Sequence, residues 1–193
     1  MSTETRQSER ALVGAAQKGD KEAMQLLLGC NWAWLKGLVY SILRDADDID
    51  DVLQDICVRV ISKISSLRRP ERFRPWLAVL ARRQALRYRQ QKHQRLRPLN
   101  EELADLKCNE KAARLFEIIE QKEQYRQVLD AIGSLPEKYR QVFVLEHIDD
   151  LTYRQIAEIL DIPVTTVQIR LVRARQMLYK QVTGKEKNRV YEK

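Results

Sequence analysis

Residues 134–182 open Ser134-Leu-Pro-Glu-Lys-Tyr-Arg140 and continue Gln141-Val-Phe-Val-Leu-Glu-His-Ile-Asp-Asp-Leu151. They then read Thr152-Tyr-Arg-Gln-Ile-Ala-Glu-Ile-Leu-Asp161 and Ile162-Pro-Val-Thr-Thr-Val-Gln-Ile-Arg-Leu-Val-Arg-Ala-Arg175. Three helices follow from this stretch. Ser134 and Glu137 have the spacing of a capping box, with Leu135 placed as a hydrophobic staple. Thr152 and Gln155 repeat the box, and Ile156, Ile159 and Leu160 recur at helical spacing behind it. Asp161 falls where the chain must turn left-handed, a conformation that Asp tolerates better than most side chains. Pro163 presets φ for a new helix, which keeps Val167 and Leu171 inward and carries Gln168, Arg170, Arg173 and Arg175 elsewhere. The pattern is a helix-turn-helix whose second helix suits a DNA major groove. A helical hairpin with a merely solvated face would share the apolar spacing. The charges favour DNA: residues 162–185 contain no Asp or Glu but include Arg170, Arg173, Arg175, Lys180 and Lys185.

The whole chain agrees with that reading. Its 193 residues allow one large or two small domains. Lys and Arg outnumber Asp and Glu by 35 to 27, for a net charge of +8, which favours a polyanionic partner. With 6 Gly and 5 Pro and few alternating runs, the chain should be nearly all helix. Cys30, Cys57 and Cys108 lie far apart, as expected of buried or idle thiols in a reducing compartment. Neither they nor His93 and His147 show metal-ligand spacing, and no cofactor is expected. The N-terminus lacks the apolar core of a signal peptide, and no apolar run reaches the length of a membrane span. A soluble, cytoplasmic protein is expected.

Upstream, a short helix over residues 8–18 should end at Gly19. Asp20 should cap a longer helix to about Leu43, with Ala23, Leu27, Cys30, Trp34, Leu38 and Ile42 along one side. From Ala46 to Ile64, a helix would gather Ile49, Leu53, Ile56 and Val60 in one stripe and leave Asp51, Gln54, Asp55 and Val58 opposite. Asp45, Asp47, Asp48, Asp50, Asp51 and Asp55 make this segment acidic. A solvated face and a protein-docking face both fit. Residues 72–100 then reverse the charge, with no acid and with Arg72, Arg74, Arg82, Arg83, Arg87, Arg89, Lys92, Arg95 and Arg97. Phe73, Trp76 and Tyr88 interleave with them. Trp76 shares a face with Leu77, Leu80 and Gln84, which favours packing over base stacking. Such a basic helix suits melted DNA or a membrane surface, and the second DNA-binding element decides for DNA. Residues 94–110 read as a linker broken at Pro98, followed by a helix over residues 111–132.

The chain resembles bacterial sigma factors of the sigma-70 family, extracytoplasmic-function (ECF) group, from about Leu12 to Val182. The marks are Gln-Lys-Gly-Asp-Lys-Glu-Ala (17–23), Asp-Val-Leu-Gln-Asp (51–55), Phe-Arg-Pro-Trp-Leu (73–77) with Ala81-Arg82, and Leu-Pro-Glu-Lys-Tyr-Arg (135–140). Ile156-Ala157, Ile-Pro-Val-Thr-Thr-Val (162–167) and Arg-Leu-Val-Arg-Ala-Arg (170–175) complete them.

The resemblance implies an all-α fold of two small helical domains joined by a flexible linker. A region-2 domain would span 8–93, the linker 94–110, and a region-4 helix-turn-helix domain 111–183. Asp51, Gln54, Asp55 and Val58 would dock on the β′ clamp helices of core RNA polymerase, and region 4 would meet the β flap. Arg74, Trp76, Arg82, Arg83, Arg87 and Arg89 would capture and melt the −10 element, with a flipped base held by residues 67–74. Gln168, Ile169, Val172 and Arg173 would read −35 bases. Tyr153, Arg154, Thr166, Arg170 and Arg175 would hold phosphates or anchor the helix. An anti-sigma factor is implied as a further partner. Arg83 and Arg87 stand where the family commonly has Asn and Asp, and Ile169 where a small hydroxyl residue is usual. Ile169 can meet a thymine methyl but donates no hydrogen bond. The rival reading, a helix-turn-helix regulator working without polymerase, leaves the second basic helix and the Asp51 face unexplained. A nucleic-acid enzyme is disfavoured, since no carboxylate cluster or phosphate-cradling Gly loop is present.

Overall fold

A computed structural model describes residues 3–45, 47–96, 131–148 and 151–191. Its N-terminal half is a helical bundle of α1 (Thr3–Gln17), α2 (Lys21–Leu43), α3 (Ile49–Lys63) and α4 (Phe73–Leu96). Two 3₁₀ turns, Ile64–Ser66 and Pro70–Arg72, lie between α3 and α4. The C-terminal half comprises α5 (Glu137–Glu146), α6 (Tyr153–Leu160) and α7 (Val164–Tyr191). No strand occurs among the described residues. The expected helix over 111–132 falls almost wholly outside them, as does most of the expected linker; α4 itself continues to Leu96.

Local chemistry explains the boundaries. Between α1 and α2 the chain turns at Gly19, whose φ of 93° favours a residue without Cβ. Asp20 then caps α2, its carboxylate accepting from the Ala23 amide at 3.0 Å. Contrary to the expectation that no apolar run reaches the length of a membrane span, α2 has that length and apolarity, but it packs against α1, α3, α4 and α5. It buries Ala23, Leu27, Leu35, Leu38, Val39 and Ile42 in the core. Cys30, placed inward by the sequence reading, is exposed. Asn31 and Leu35 are fully buried instead, because the stripe centred on Leu27 and Leu38 leans toward their side of the helix. Asn31 tolerates burial by donating to the Leu27 carbonyl at 2.8 Å and accepting from Trp34 Nε1 at 2.8 Å. Cys57 is half-buried, and burial pushes its thiol above the ordinary range.

Ile49, Leu53, Ile56 and Val60 of α3 are all fully buried, as their spacing predicts. Each such side chain stabilises the fold by roughly 1.5–3 kcal/mol relative to exposure. The first expected capping box does not form. α5 begins at Glu137 behind Pro136, and no side chain caps it. The Ser134 hydroxyl instead donates to the Ala131 carbonyl at 2.7 Å and pairs with the Gln181 side-chain oxygen at 2.9 Å. The second box does form: Thr152 Oγ1 accepts from the Gln155 amide, and Gln155 Oε1 accepts from the Thr152 amide at 2.8 Å.

The two halves share one buried apolar cluster. It runs from Val13, Leu27 and Leu53 through Leu77 to Val142, Leu145, Ile156 and Leu171. α5 packs on α2, and α6 packs on α4.

Candidate nucleic-acid and protein interfaces

The helix-turn-helix has the geometry its sequence predicts. Asp161 adopts φ 56° and ψ 53° and donates its amide to the Ala157 carbonyl, which closes α6 and redirects the chain. Pro163 leads into α7, with its carbonyl accepting from the Thr166 amide at 3.0 Å. Val167 and Leu171 are buried to 0% and 1% exposure, so the opposite side of α7 must face outward. Gln168, Ile169, Val172 and Arg173 are there, all exposed. Two apolar side chains on that surface, Ile169 and Val172, each remain more than half exposed. Arg173 lies beside Tyr139, and its hydrogen bond holds the phenol below the ordinary tyrosine range. Tyr153 and Arg154 are exposed at the start of α6, whereas Thr166 and Arg170 are half-buried. Arg175 is ion-paired with Glu146, an arrangement that anchors α7 on α5.

On α3 the acidic face stands free of the core. Asp51, Gln54 and Asp55 are exposed, and Val58 is 61% exposed among them, with Ile61 one turn further on at 58%. Asp55 accepts a hydrogen bond from Gln84 of α4 at 2.8 Å, which ties this face to the basic helix.

The basic residues of α4 divide into two groups. Arg74 is nearly buried, and its one Nε–H is shared between both Glu9 carboxylate oxygens at 3.0 Å. Arg89 pairs with Glu137 at 2.9 Å and donates to the Ile42 carbonyl at 3.1 Å. Arg82 faces Gln141 at 3.4 Å, and burial lowers its guanidinium pKa. Lys92 bridges Asp45 at 2.8 Å and Asp48 at 2.6 Å. Burial opposes its charge, but the two carboxylates prevail and raise its pKa; Lys92 in turn holds Asp45 below the ordinary carboxylate range. Tyr88 donates to Asp48 at 2.9 Å, and its phenol is pushed up by burial and by that carboxylate.

Arg83 and Arg87 form the second group. They line a groove between α3 and α4 with Arg59, Lys63, Trp76, Val79, Leu80 and Gln84. No carboxylate lines it. Trp76 is half-buried there, tilted against Phe73 with ring centroids 5.9 Å apart. Arg59 and Lys63 were missed by the sequence reading, which treated α3 as acidic. Their signal was present: they are four residues apart and so share one side of the helix.

The turn preceding α4 is fixed from behind. Gln17 of α1 donates through Nε2 to the Ile64 carbonyl at 2.9 Å and to the Leu67 carbonyl at 2.7 Å. Among the described residues no group of His, Cys, Asp and Glu side chains could hold a metal ion.

Comparison with known proteins decides the family. Residues 27–95 match the sigma-70 region 2 family, and residues 125–178 match sigma-70 region 4. The chain is 32% identical over 179 residues to the ECF RNA polymerase sigma-E factor of Haemophilus influenzae, covering 89% of this chain and 93% of that protein. It is 30% identical over 177 residues to the Escherichia coli K12 sigma-E factor, covering 89% and 92%.

The chain belongs to the ECF sigma factors.

Two solved structures share the fold. CnrH, solved in complex with the cytosolic domain of CnrY, superposes with a TM-score of 0.60 at 23% identity, covering 92% of this sigma factor and 98% of that chain. The Bartonella quintana sigma factor RpoE, solved with the anti-sigma factor NepR, gives 0.64 at 18% identity, covering 86% and 98%.

Proposed function

We propose that this sigma factor docks on the β′ clamp helices of core RNA polymerase through Asp51, Gln54, Asp55 and Val58, with its region-4 unit on the β flap. It directs the enzyme to two-part promoters. α7 reads the −35 element with Gln168, Ile169, Val172 and Arg173, while Tyr153, Arg154, Thr166, Arg170 and Arg175 hold phosphates or set the helix. α4 and the turn at residues 67–74 engage the melted −10 strand. Of the cations in and around α4, Arg83 and Arg87 meet phosphates first, joined by Arg59 and Lys63, with Trp76 as the apolar surface beside them. Arg74, Arg82 and Arg89 are anchored in the resting molecule. Residues 8–93 and 111–183 act as the two functional domains, joined by 94–110.

One observation carries this reading: a single chain combines an exposed acidic face, a carboxylate-free basic groove and an outward-facing recognition helix. A stand-alone regulator needs only the last. The subunit turns over neither nucleotide nor nucleic acid, acts in the cytoplasm, and is restrained by an anti-sigma factor, as the NepR-bound relative suggests.

The test is run-off transcription with bacterial core polymerase and a genomic promoter library. Transcripts sharing a two-part upstream motif are expected. Binding to duplex DNA without co-elution with core would overturn the proposal. Replacing Asp51 and Asp55 together by Ala should abolish co-elution with core while sparing −35 duplex binding.

A further inference from the structure

Side chains in the first turn of α5 leave it in three directions. Arg140 donates through Nε to the Ser41 carbonyl of α2 at 2.9 Å, and Glu137 pairs with Arg89 of α4 at 2.9 Å. Tyr139 turns toward α7 instead. Only 7% exposed, it forms a small buried cluster with Leu135 and with Ala174, and Met177 and Leu178 pack against the same cluster. Ala174 directly follows Arg173, so a phenol that passes Ala174 ends beside the Arg173 side chain. There the guanidinium donates to the phenol oxygen. A second cation flanks the ring, with the Lys138 ammonium 5.1 Å from its centroid. Arg173 itself stays exposed on the outer surface of α7.

We infer that Tyr139 is a positioning residue for −35 recognition, its hydroxyl holding the Arg173 guanidinium in the orientation that meets a base edge. The inference rests on α7 being the −35 reader. Arginine has donors and no acceptor, so the phenol oxygen accepts one N–H group and leaves the rest of the fork for DNA. Guanine takes two of them, at O6 and N7, and only when the guanidinium plane is aligned with the base edge. An unrestrained exposed arginine loses rotamer freedom to reach that alignment, and a side chain already held loses less. The chemistry of the brace separates Arg173 from its neighbour. Arg175 is held by the carboxylate of Glu146, which offsets its charge. A protonated phenol steadies Arg173 and leaves its positive charge intact for DNA. The buried Tyr139 ring leaves the hydroxyl little freedom, so the brace is anchored in the packing of α5 on α7. The Arg173 hydrogen bond first, and then the Lys138 charge, outweigh burial and hold this phenol below the ordinary tyrosine range.

The experiment uses holoenzyme reconstituted from bacterial core polymerase and the full chain, on a promoter duplex recovered by run-off transcription. Each −35 base pair is replaced in turn, and competition binding gives the preference at each position. Arg173→Ala identifies the base pair that Arg173 reads, as the position where preference is lost. Tyr139→Phe removes the hydroxyl and keeps the ring. It should reduce preference at that same position by about threefold to tenfold and leave the other −35 positions unchanged. In the Arg173→Ala background, Tyr139→Phe should have no further effect. A role in packing alone would weaken binding evenly across positions and lower the melting temperature, and that pattern overturns the inference. Without DNA, fluorine NMR of the fluorotyrosine-labelled chain follows the phenol, assigned by its absence in Tyr139→Phe. Its titration midpoint should rise in Arg173→Ala, and an unmoved midpoint overturns the brace. If preference survives Tyr139→Phe intact, the inference falls while the −35 reading stands. If no −35 replacement changes binding by the parent holoenzyme, the −35 reading fails and this inference fails with it.

Discussion

In α4, Arg74 lies against Glu9, Arg89 against Glu137 and Lys92 against two aspartates, whereas in α7 Gln168, Ile169 and Val172 stand in solvent and Arg173, bonded to Tyr139, is still exposed. α4 and residues 164–185 of α7 are both acid-free and Arg-rich. Their cations nevertheless do different work. α7 is a short-range product: Val167 and Leu171 pack inward, the Asp161 turn sets its direction, and its outer surface is left for a ligand. α4 crosses the core of the N-terminal half, so two of its guanidinium groups, those of Arg74 and Arg89, are claimed by carboxylates from α1 and α5. A basic stretch thus measures how much cationic chemistry is present, and the tertiary fold decides how much is free.

The largest effect that sharpens this contrast should come from beneath α7. Leu171→Ala removes a side chain that is 1% exposed, and it should cost about 2–5 kcal/mol. Thermal unfolding should show the loss, with −35 duplex binding lost in parallel. Unchanged stability would mean that α7 is not held by this packing. Next, Arg173→Ala should weaken −35 binding by about 1–3 kcal/mol while leaving unfolding nearly unchanged. A fall in melting temperature instead would place Arg173 with the anchored cations of α4.

Within α4, Arg83→Gln with Arg87→Gln should reduce the salt dependence of single-strand binding by about 1–2 phosphate contacts, at little cost in stability. Arg74→Gln should do the reverse, because it leaves Glu9 without its nearly buried partner. If the two variants behave alike, the division of the helix collapses. The smallest effect concerns Asp45. Lys92 depresses its pKa in the folded state, so its contribution is present above the unfolded value near 3.8 and lost as pH falls below it. Asp45→Asn should lower the melting temperature by only a degree or two at pH 7, since the pair is part-exposed, and the difference should shrink toward pH 3.

The parts of this fold that sequence reveals are those set within a turn or two of helix. The Ile49-Leu53-Ile56-Val60 stripe, the Thr152–Gln155 box and the corner at Asp161 involve neighbours a few residues apart. The Ser134 box shares the same spacing but does not form, because helix α5 begins only after Pro136 and Ser134 bonds backward to Ala131. Cys30 was misplaced by a modest rotation of α2. The partners of Arg74, Arg89 and Arg140 lie 65, 48 and 99 positions away, and no local pattern encodes such pairings. The Arg59–Lys63 side of the basic groove was hidden for a different reason: the aspartates earlier in α3 dominate its composition.

Gln17 joins α1 to the segment before α4 through one amide group and two carbonyls, 47 and 50 residues downstream. We propose that this segment captures a base, and its shape is held by a side chain from another helix. On that proposal, promoter preference in this sigma factor is inherited in part through its first helix. Exchanging the −10 turn between relatives should transplant specificity fully only when the residue at position 17 and its helix travel with it.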